Sequence, residues 1–174
     1  MLSQDRFIRL YTGNGQGKST AAFGVAVRVL CAGGSVYIGQ FVKDMAYSET
    51  ALQQHFDHLK IEQLGVGCFI DRNPCETDRH AAQQALRHCA QLMHSGQWDL
   101  VVLDELTIAL HYQLLTVAQV LEALQQRSPH TEVIITGRYA PQALIDAAHL
   151  VTEMHEVKHY YATLGVTSRE GFDC

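Results

Sequence analysis

Residues 12–19 read Thr12-Gly13-Asn14-Gly15-Gln16-Gly17-Lys18-Ser19, and this stretch decides which fold the chain adopts. Its last three positions match the Walker A pattern GxxxxGK[ST], while Thr12 stands in place of the first glycine. A predicted strand at 6–12 precedes it and a helical pattern from Lys18 to about Cys31 follows it, which is the context the motif requires. Three glycines in five residues allow backbone N–H groups to turn inward around an anion. The stretch therefore predicts a phosphate-binding loop.

Each residue of this loop has an expected role toward ATP. Lys18 would neutralise the outer phosphates, and the Ser19 hydroxyl would coordinate Mg²⁺ or Mn²⁺. Thr20 would add a second hydroxyl. The alternative is an ordinary strand-to-helix turn with flexible glycines. In that case Lys18 and Ser19 would match the Walker A positions after the glycines only by chance. The backbone cradle itself is predicted from five residues, Gly13, Asn14, Gly15, Gln16 and Gly17.

Beyond the loop, short apolar runs alternate with helical patterns. Such alternation predicts a parallel sheet with helices on both faces, and apolar strands without polar alternation indicate that both faces are buried. We expect an α/β fold, a P-loop NTPase-like (RecA-like) three-layer αβα sandwich with a mostly parallel central sheet, formed by residues 1–174 as a single domain. Strands are predicted at 35–41, 59–64, 98–103, 131–136 and from Leu150, and helices at 49–57 (weakly), at 76–94, after Thr116 and with Pro141 in a first turn.

A pair of acidic residues follows one of the buried strands. Leu100-Val101-Val102-Leu103-Asp104-Glu105 resembles a Walker B strand, which delivers carboxylates to the edge of the sheet beside the loop. Asp104 would hold the Mg²⁺ shell, and Glu105 would bind the metal or position a reacting group. A pair that caps a helix N-terminus would look the same, and Glu105 opens a predicted helix.

Three further polar residues follow predicted strands. Ligands of parallel sheets bind at the carboxyl ends of the strands, so Gln40 and Lys43 are candidates for nucleotide contacts. Arg138 follows another strand and could pair with a phosphate. The alternative for Gln40 and Lys43 is that they lie in a solvated loop without function. The alternative for Arg138 is a surface arginine at a turn. His55 and His58, like His155 and His159, have spacings suited to metal ligation, but neither pair has a Cys or third His to complete it.

The composition limits the class of protein. The chain has 174 residues, of which 47% are hydrophobic and 18% charged, as in one soluble globular domain. A formal net charge of −5 disfavours non-specific binding to nucleic acid or to a membrane surface, which needs a basic face. The five cysteines are odd in number and form no CxxC pair, so we predict reduced thiols in a cytoplasmic protein. No apolar run approaches the ~20 residues of a membrane span.

Longer stretches of the chain resemble the corrinoid adenosyltransferase family of the BtuR/CobA/CobO type. The resemblance runs in order from about Arg6 to Asp173, and the phrases VVLDEL, ITGR and VKH are more specific than a Walker A motif alone. Thr in place of the first Walker glycine is also similar to the family. The stretches that carry it are YTGNGQGKSTAAFGVAVR (11–28), VYIGQFVKD (36–44), WDLVVLDELTIALHYQLL (98–115), EVIITGRYAPQALIDAAHLVTEMHEVKH (132–159) and GVTSREGFD (165–173).

The resemblance implies an enzyme that transfers the 5′-deoxyadenosyl group of ATP to the cobalt of a reduced corrinoid and releases triphosphate. It implies that ATP lies in a reversed sense relative to most P-loop ATPases, so that C5′ faces the cobalt. It also implies a homodimer and an electron donor of the flavodoxin or flavin reductase type. Family members commonly carry a Phe and a Trp before the long helix, where 67–70 here read GCFI, so that Phe69 is the aromatic candidate for corrinoid contact.

Two other functions remain open at this point. A P-loop kinase or ATPase would cleave the β–γ bond of ATP and release ADP and phosphate. A non-catalytic nucleotide- or corrinoid-binding module would bind without turnover.

Overall fold

The computed structural model describes residues 5–42, 47–65 and 74–172. In these residues strands and helices alternate along the chain, as the sequence predicts, except that two helices follow one another between 104 and 132. The strands are β1 (Ile8–Thr12), β2 (Val36–Gln40), β3 (Leu59–Gln63), β4 (Leu100–Asp104), β5 (Glu132–Thr136) and β6 (Leu150–Glu153). The helices are α1 (Lys18–Cys31), a 3-10 helix (Ser48–Gln54), α2 (Glu76–Ser95), α3 (Leu106–His111), α4 (Val117–Gln125), α5 (Gln142–Ala147) and α6 (Tyr160–Leu164).

The six strands form one sheet in the order β3-β2-β4-β5-β1-β6. Every neighbouring pair is parallel, so the expected mostly parallel sheet is in fact parallel throughout the described strands. Strand β5 lies between β1, which leads into the phosphate loop, and β4, which ends at Asp104. Because parallel strands bring their carboxyl ends to one edge, the residues after β1, β4 and β5 meet there.

Alternate residues of each strand pack into two separate cores. Val101 and Leu103 of β4 join the core beneath α2 and α4, whereas Leu100 and Val102 join the core beneath α1. All four side chains are fully buried. Helices on both faces of a doubly buried sheet make a three-layer αβα sandwich, and the predicted P-loop NTPase-like fold class is confirmed.

The helix boundaries follow local sequence signals. Thr116 caps α4, because its hydroxyl accepts a hydrogen bond from the Gln119 N–H. Pro141 precedes α5 with an extended ψ of 147°, so it is the N-cap rather than a first-turn residue. The predicted weak helix at 49–57 is a 3-10 helix. Within the described residues, no helix has the length and apolar character needed to cross a membrane.

A polar network anchors the edge strand β3 to α2. The buried Tyr37 hydroxyl donates to Glu62 Oε2 at 2.7 Å, and His88 Nε2 lies 2.9 Å from the same oxygen. Burial raises the pKa of Glu62, but hydrogen bonds from Lys60, Tyr37 and His88 outweigh it and bring the pKa to about 2. The next residue, Gln63, can then donate to Gln40 at 3.5 Å, beneath the site described below.

Candidate functional site

The phosphate loop connects β1 to α1 through left-handed glycines. Gly13 has a φ of 95° and Gly17, which precedes the first turn of α1, has a φ of 111°. L-residues with a side chain rarely adopt these angles, which explains glycine at both positions. Lys18 and Ser19 follow immediately on the first turn of α1. The predicted strand–loop–helix context is therefore present.

The end of β6 holds this loop in place. The Met154 N–H donates to the Thr12 carbonyl at 2.8 Å, and the Gly15 N–H donates to the Met154 carbonyl at 2.7 Å. A Cβ atom on Gly15 would lie 2.7 Å from the Met154 carbonyl oxygen and 2.9 Å from the His155 carbonyl carbon. Glycine at position 15 is thus required by the close approach of a distant backbone.

We expect Gly15→Ala to destabilise the protein by roughly 1–3 kcal/mol and to weaken ATP binding, because the methyl group must displace the Met154 backbone. The measurements are thermal unfolding and the dissociation constant of MgATP. Gly24→Ala in α1 is the matched control, since a Cβ there meets nothing within 4 Å. It should raise stability by about 0.5–1 kcal/mol. Equal melting temperatures and nucleotide affinities for the two variants would contradict this role of Gly15.

The Lys18 side chain lies folded against the loop. It is only 7% exposed, and its Nζ donates to the Gly15 carbonyl at 2.6 Å. Burial lowers the pKa of Lys18, and nearby Arg138 lowers it further, while the carboxylates of Glu105 and Asp104 oppose the shift. A buried ammonium group beside a second cation is prepared for a polyanionic ligand.

Asp104 is the centre of a hydrogen-bond cluster below the loop. Its Oδ1 accepts from Ser19 Oγ and from Thr136 Oγ1, each at 2.7 Å, and its Oδ2 accepts from Gln40 Nε2 at 3.2 Å. Asp104, Thr136 and Gln40 are fully buried. The cluster fixes the Ser19 hydroxyl at the loop, and Gln40 contributes by orienting Asp104 from β2.

Glu105 leaves the strand in a conformation that is unusual for its residue type. Its φ is 59° and ψ 23°, and its N–H donates to Thr136 Oγ1 at 3.0 Å. Its side chain makes no capping hydrogen bond to α3, which argues against the alternative that the acidic pair serves as a helix cap. Glu105 Oε2 lies close to Gly137, since a Cβ atom there would be 3.3 Å from it, although the closest conflict would be with Thr107 Oγ1. The Glu105 side chain borders the same cavity as the loop.

These groups border one cavity of about 770 Å³. One wall is the loop and the start of α1, a second is formed by Glu105 and Arg138, and a third by the segment 156–172. The predicted residues that line it are Asn14, Gly15, Gln16, Gly17, Lys18, Ser19, Thr20, Glu105 and Arg138.

The remaining predicted residues lie elsewhere. Gly13 packs on the Met154 backbone and Asp104 and Gln40 lie beneath the cavity. Lys43 and Phe69 fall outside the described residues, so the predictions for them stay predictions.

A family model described as ATP:corrinoid adenosyltransferase BtuR/CobO/CobP matches residues 4–174. The chain belongs to this ATP:corrinoid adenosyltransferase family.

Relatives in this adenosyltransferase family resemble the chain over most of its length. A corrinoid adenosyltransferase of Sinorhizobium sp is 37% identical over 166 residues, which cover 93% of this chain and 77% of the relative. Corrinoid adenosyltransferase CobA of Salmonella typhimurium is 34% identical over 168 residues, which cover 95% of this chain and 84% of the relative. A corrinoid adenosyltransferase of Pseudomonas aeruginosa is 36% identical over 166 residues, which cover 94% of this chain and 81% of the relative. The predicted resemblance is confirmed.

Within this adenosyltransferase, oxygen atoms dominate the possible metal ligands. Ser19 Oγ and the carboxylates of Asp104 and Glu105 suit a hard cation such as Mg²⁺. Among residues 5–42, 47–65 and 74–172, no group of three or more His, Cys, Asp or Glu side chains is arranged to hold a metal. The histidine pairs considered above therefore gain no support, and a cation at Ser19 would need ligands from the nucleotide.

Sequence reasoning missed three parts of the site. One is Thr136, whose hydroxyl connects Asp104 to the Glu105 backbone, whereas the sequence predicts a role only for Arg138 at this turn. Met154 clamps the loop through its backbone, which no side-chain pattern can reveal. The third is the wall formed by 156–172, a segment whose sequence indicates a function only through the family resemblance.

Proposed function

We propose that this protein transfers the 5′-deoxyadenosyl group of ATP to the cobalt of a Co(I) corrinoid and releases triphosphate. The observation that carries the proposal is one cavity bordered by a phosphate loop, two cations and a carboxylate, in a chain of this enzyme family. Lys18 and Arg138 supply the positive charge that a polyphosphate requires.

For this reaction the protein has two tasks, to position ATP next to the corrinoid and to stabilise negative charge on the triphosphate. A bond forms between cobalt and C5′, the C5′–O bond breaks, and the electron pair leaves with triphosphate. Co(I) is itself a strong nucleophile, so no general base is needed. Lys18 and Arg138 would stabilise the charge that develops on the departing triphosphate. The loop would hold the polyphosphate so that C5′ stays accessible to the corrinoid.

We propose that Ser19 and Glu105 hold a Mg²⁺ ion, which Mn²⁺ could replace, with Asp104 orienting Ser19. The support is the all-oxygen character of the three groups and the 2.7 Å hydrogen bond between Ser19 and Asp104. When bound, the ion would neutralise charge on the triphosphate oxygens. A homodimer, an electron donor of the flavodoxin or flavin reductase type and a cytoplasmic location stay predictions from the resemblance and the composition.

An anaerobic assay tests the proposal directly. Protein, MgATP and chemically reduced cob(I)alamin are mixed, and the corrinoid absorption spectrum and the phosphate products are followed. We expect conversion of the Co(I) spectrum to that of an alkylated corrinoid, with stoichiometric release of triphosphate. Omission of the corrinoid is the control and should leave ATP intact.

The same assay distinguishes the two other functions. ADP and phosphate as the products would support a kinase or ATPase instead. Binding of ATP and corrinoid with no change in either would support a non-catalytic module. Either result would refute the proposed transfer.

A further inference from the structure

The third wall of the cavity is built from the segment that follows β6. Helix α6 (Tyr160–Leu164) ends at Gly165, and the chain then turns back so that Phe172 faces the same cavity as Tyr160 and Tyr161. This segment starts directly after Met154, whose backbone clamps the phosphate loop. The aromatic wall and the phosphate loop are thus two sides of one site.

The aromatic rings on this wall are unusually exposed. Tyr161 is 64% exposed and Phe172 is 79% exposed, although both line the cavity. His159 stands beside the two tyrosine rings, with ring centroids 4.6 Å from Tyr160 and 6.5 Å from Tyr161. Clustered apolar surface on a cavity wall indicates a ligand with an apolar face.

Arg169 contacts two of the aromatic rings on this wall. Its guanidinium carbon lies 4.8 Å from the centroid of the Tyr160 ring and 5.2 Å from that of the Phe172 ring. These cation–π contacts link the Tyr160 ring of α6 to the Phe172 ring. Arg169 is therefore a positioning residue for the rings.

We propose that this aromatic wall, Tyr160, Tyr161 and Phe172, binds the adenine base of ATP by stacking. The inference rests on the proposed function, because it assumes that the polyphosphate occupies the phosphate loop, which borders the same cavity. Bases stack on aromatic side chains through their π-faces, whereas phosphates do not. A cavity of about 770 Å³ also falls in the range that holds a ligand the size of a nucleotide. In this arrangement the loop binds the polyphosphate of ATP and the aromatic wall binds the adenine base.

The test compares MgATP with Mg-triphosphate, which lacks the base, by titration calorimetry on the full chain. Phe172→Ala and Tyr161→Ala should each weaken MgATP binding by about 5- to 150-fold while leaving Mg-triphosphate binding unchanged. Tyr161→Phe keeps the ring and should keep the affinity. Phe172→Leu keeps the apolar volume but has no π-face, so this variant should lose affinity for MgATP. Leu164→Ala is the matched control, since Leu164 is 74% exposed on the same segment and does not line the cavity.

Unchanged MgATP affinity in Phe172→Ala and Tyr161→Ala, or equal losses for the two ligands, would overturn the assignment. Failure of the proposed function gives a different result. In that case the affinity losses of the two aromatic variants would still be specific to MgATP, while the anaerobic assay would yield ADP and phosphate, or no product, in place of triphosphate. Folding is not expected to confuse the result, because both rings are mostly exposed, and circular dichroism of each variant checks it.

Discussion

The variant Lys18→Ala should lose adenosyl transfer, with kcat/KM lower by about 10²–10³-fold, the usual effect of removing one preorganised charge from a reacting anion. Lys18, on the first turn of α1, borders the same cavity as Glu105 and Arg138. Removing its ammonium group would leave the triphosphate with less positive charge at the loop. The measurement is the rate of triphosphate release at saturating cob(I)alamin, together with the dissociation constant of MgATP.

The loss should concern function and not stability. Burial lowers the pKa of Lys18, because its ammonium group loses hydration in the folded protein. Its removal also removes the hydrogen bond to the Gly15 carbonyl, so the melting temperature of Lys18→Ala should stay close to that of the unmodified protein. Arg28→Ala is the matched control, because Arg28 is an exposed cation in the last turn of the same helix. Wild-type transfer by Lys18→Ala, or an equal loss in Arg28→Ala, would remove the basis for the phosphate-loop assignment.

The second large effect is expected from Asp104→Asn, which should raise the Mg²⁺ concentration needed for half-maximal activity by about 10- to 100-fold. Asparagine has the same shape but no charge, and its amide nitrogen cannot accept the hydrogen bond that a carboxylate oxygen accepts from Ser19 or Gln40. The Ser19 hydroxyl would then lose its fixed orientation toward the metal. The measurement is the Mg²⁺ dependence of transfer and of ATP binding.

Asp99→Asn is the matched control for Asp104→Asn. Asp99 lies just before β4, at the opposite edge of the sheet, where its Oδ2 accepts from the Ser35 N–H at 2.9 Å and its Oδ1 from Arg6 at 3.2 Å. Its substitution should lower stability and leave the Mg²⁺ dependence unchanged. A Mg²⁺ requirement that is the same in Asp104→Asn as in the unmodified protein would show that Asp104 has no part in metal binding.

Long elements with a clear local pattern were predicted well. Helix α1 begins and ends where the sequence places it, and α2 runs one residue beyond the predicted 76–94. In both, apolar residues recur along one face, and that pattern needs no knowledge of the rest of the fold. The short 3-10 helix and α6 contain too few residues to show a period, and α6 was not predicted.

Strand boundaries depended on tertiary contacts. The predicted strand at 98–103 begins two residues later, at Leu100, and extends to Asp104. Trp98 instead packs against Tyr37, with ring centroids 5.8 Å apart, and Asp99 binds the Ser35 backbone. The pairing of β2 with β4 begins at Val36 and Leu100, so both residues precede it. That starting point depends on the neighbouring strand, which the local sequence does not specify.

The phosphate loop, the acidic pair and the family could be inferred from sequence alone, because each rests on residues that are neighbours in the chain. What the folded protein added is the set of partners around them. Thr136 reaches Asp104 only because β5 lies between β1 and β4, and Met154 reaches Gly15 only because β6 pairs with β1. Strand order is set by how helices pack on the two faces of the sheet, which local sequence patterns do not encode.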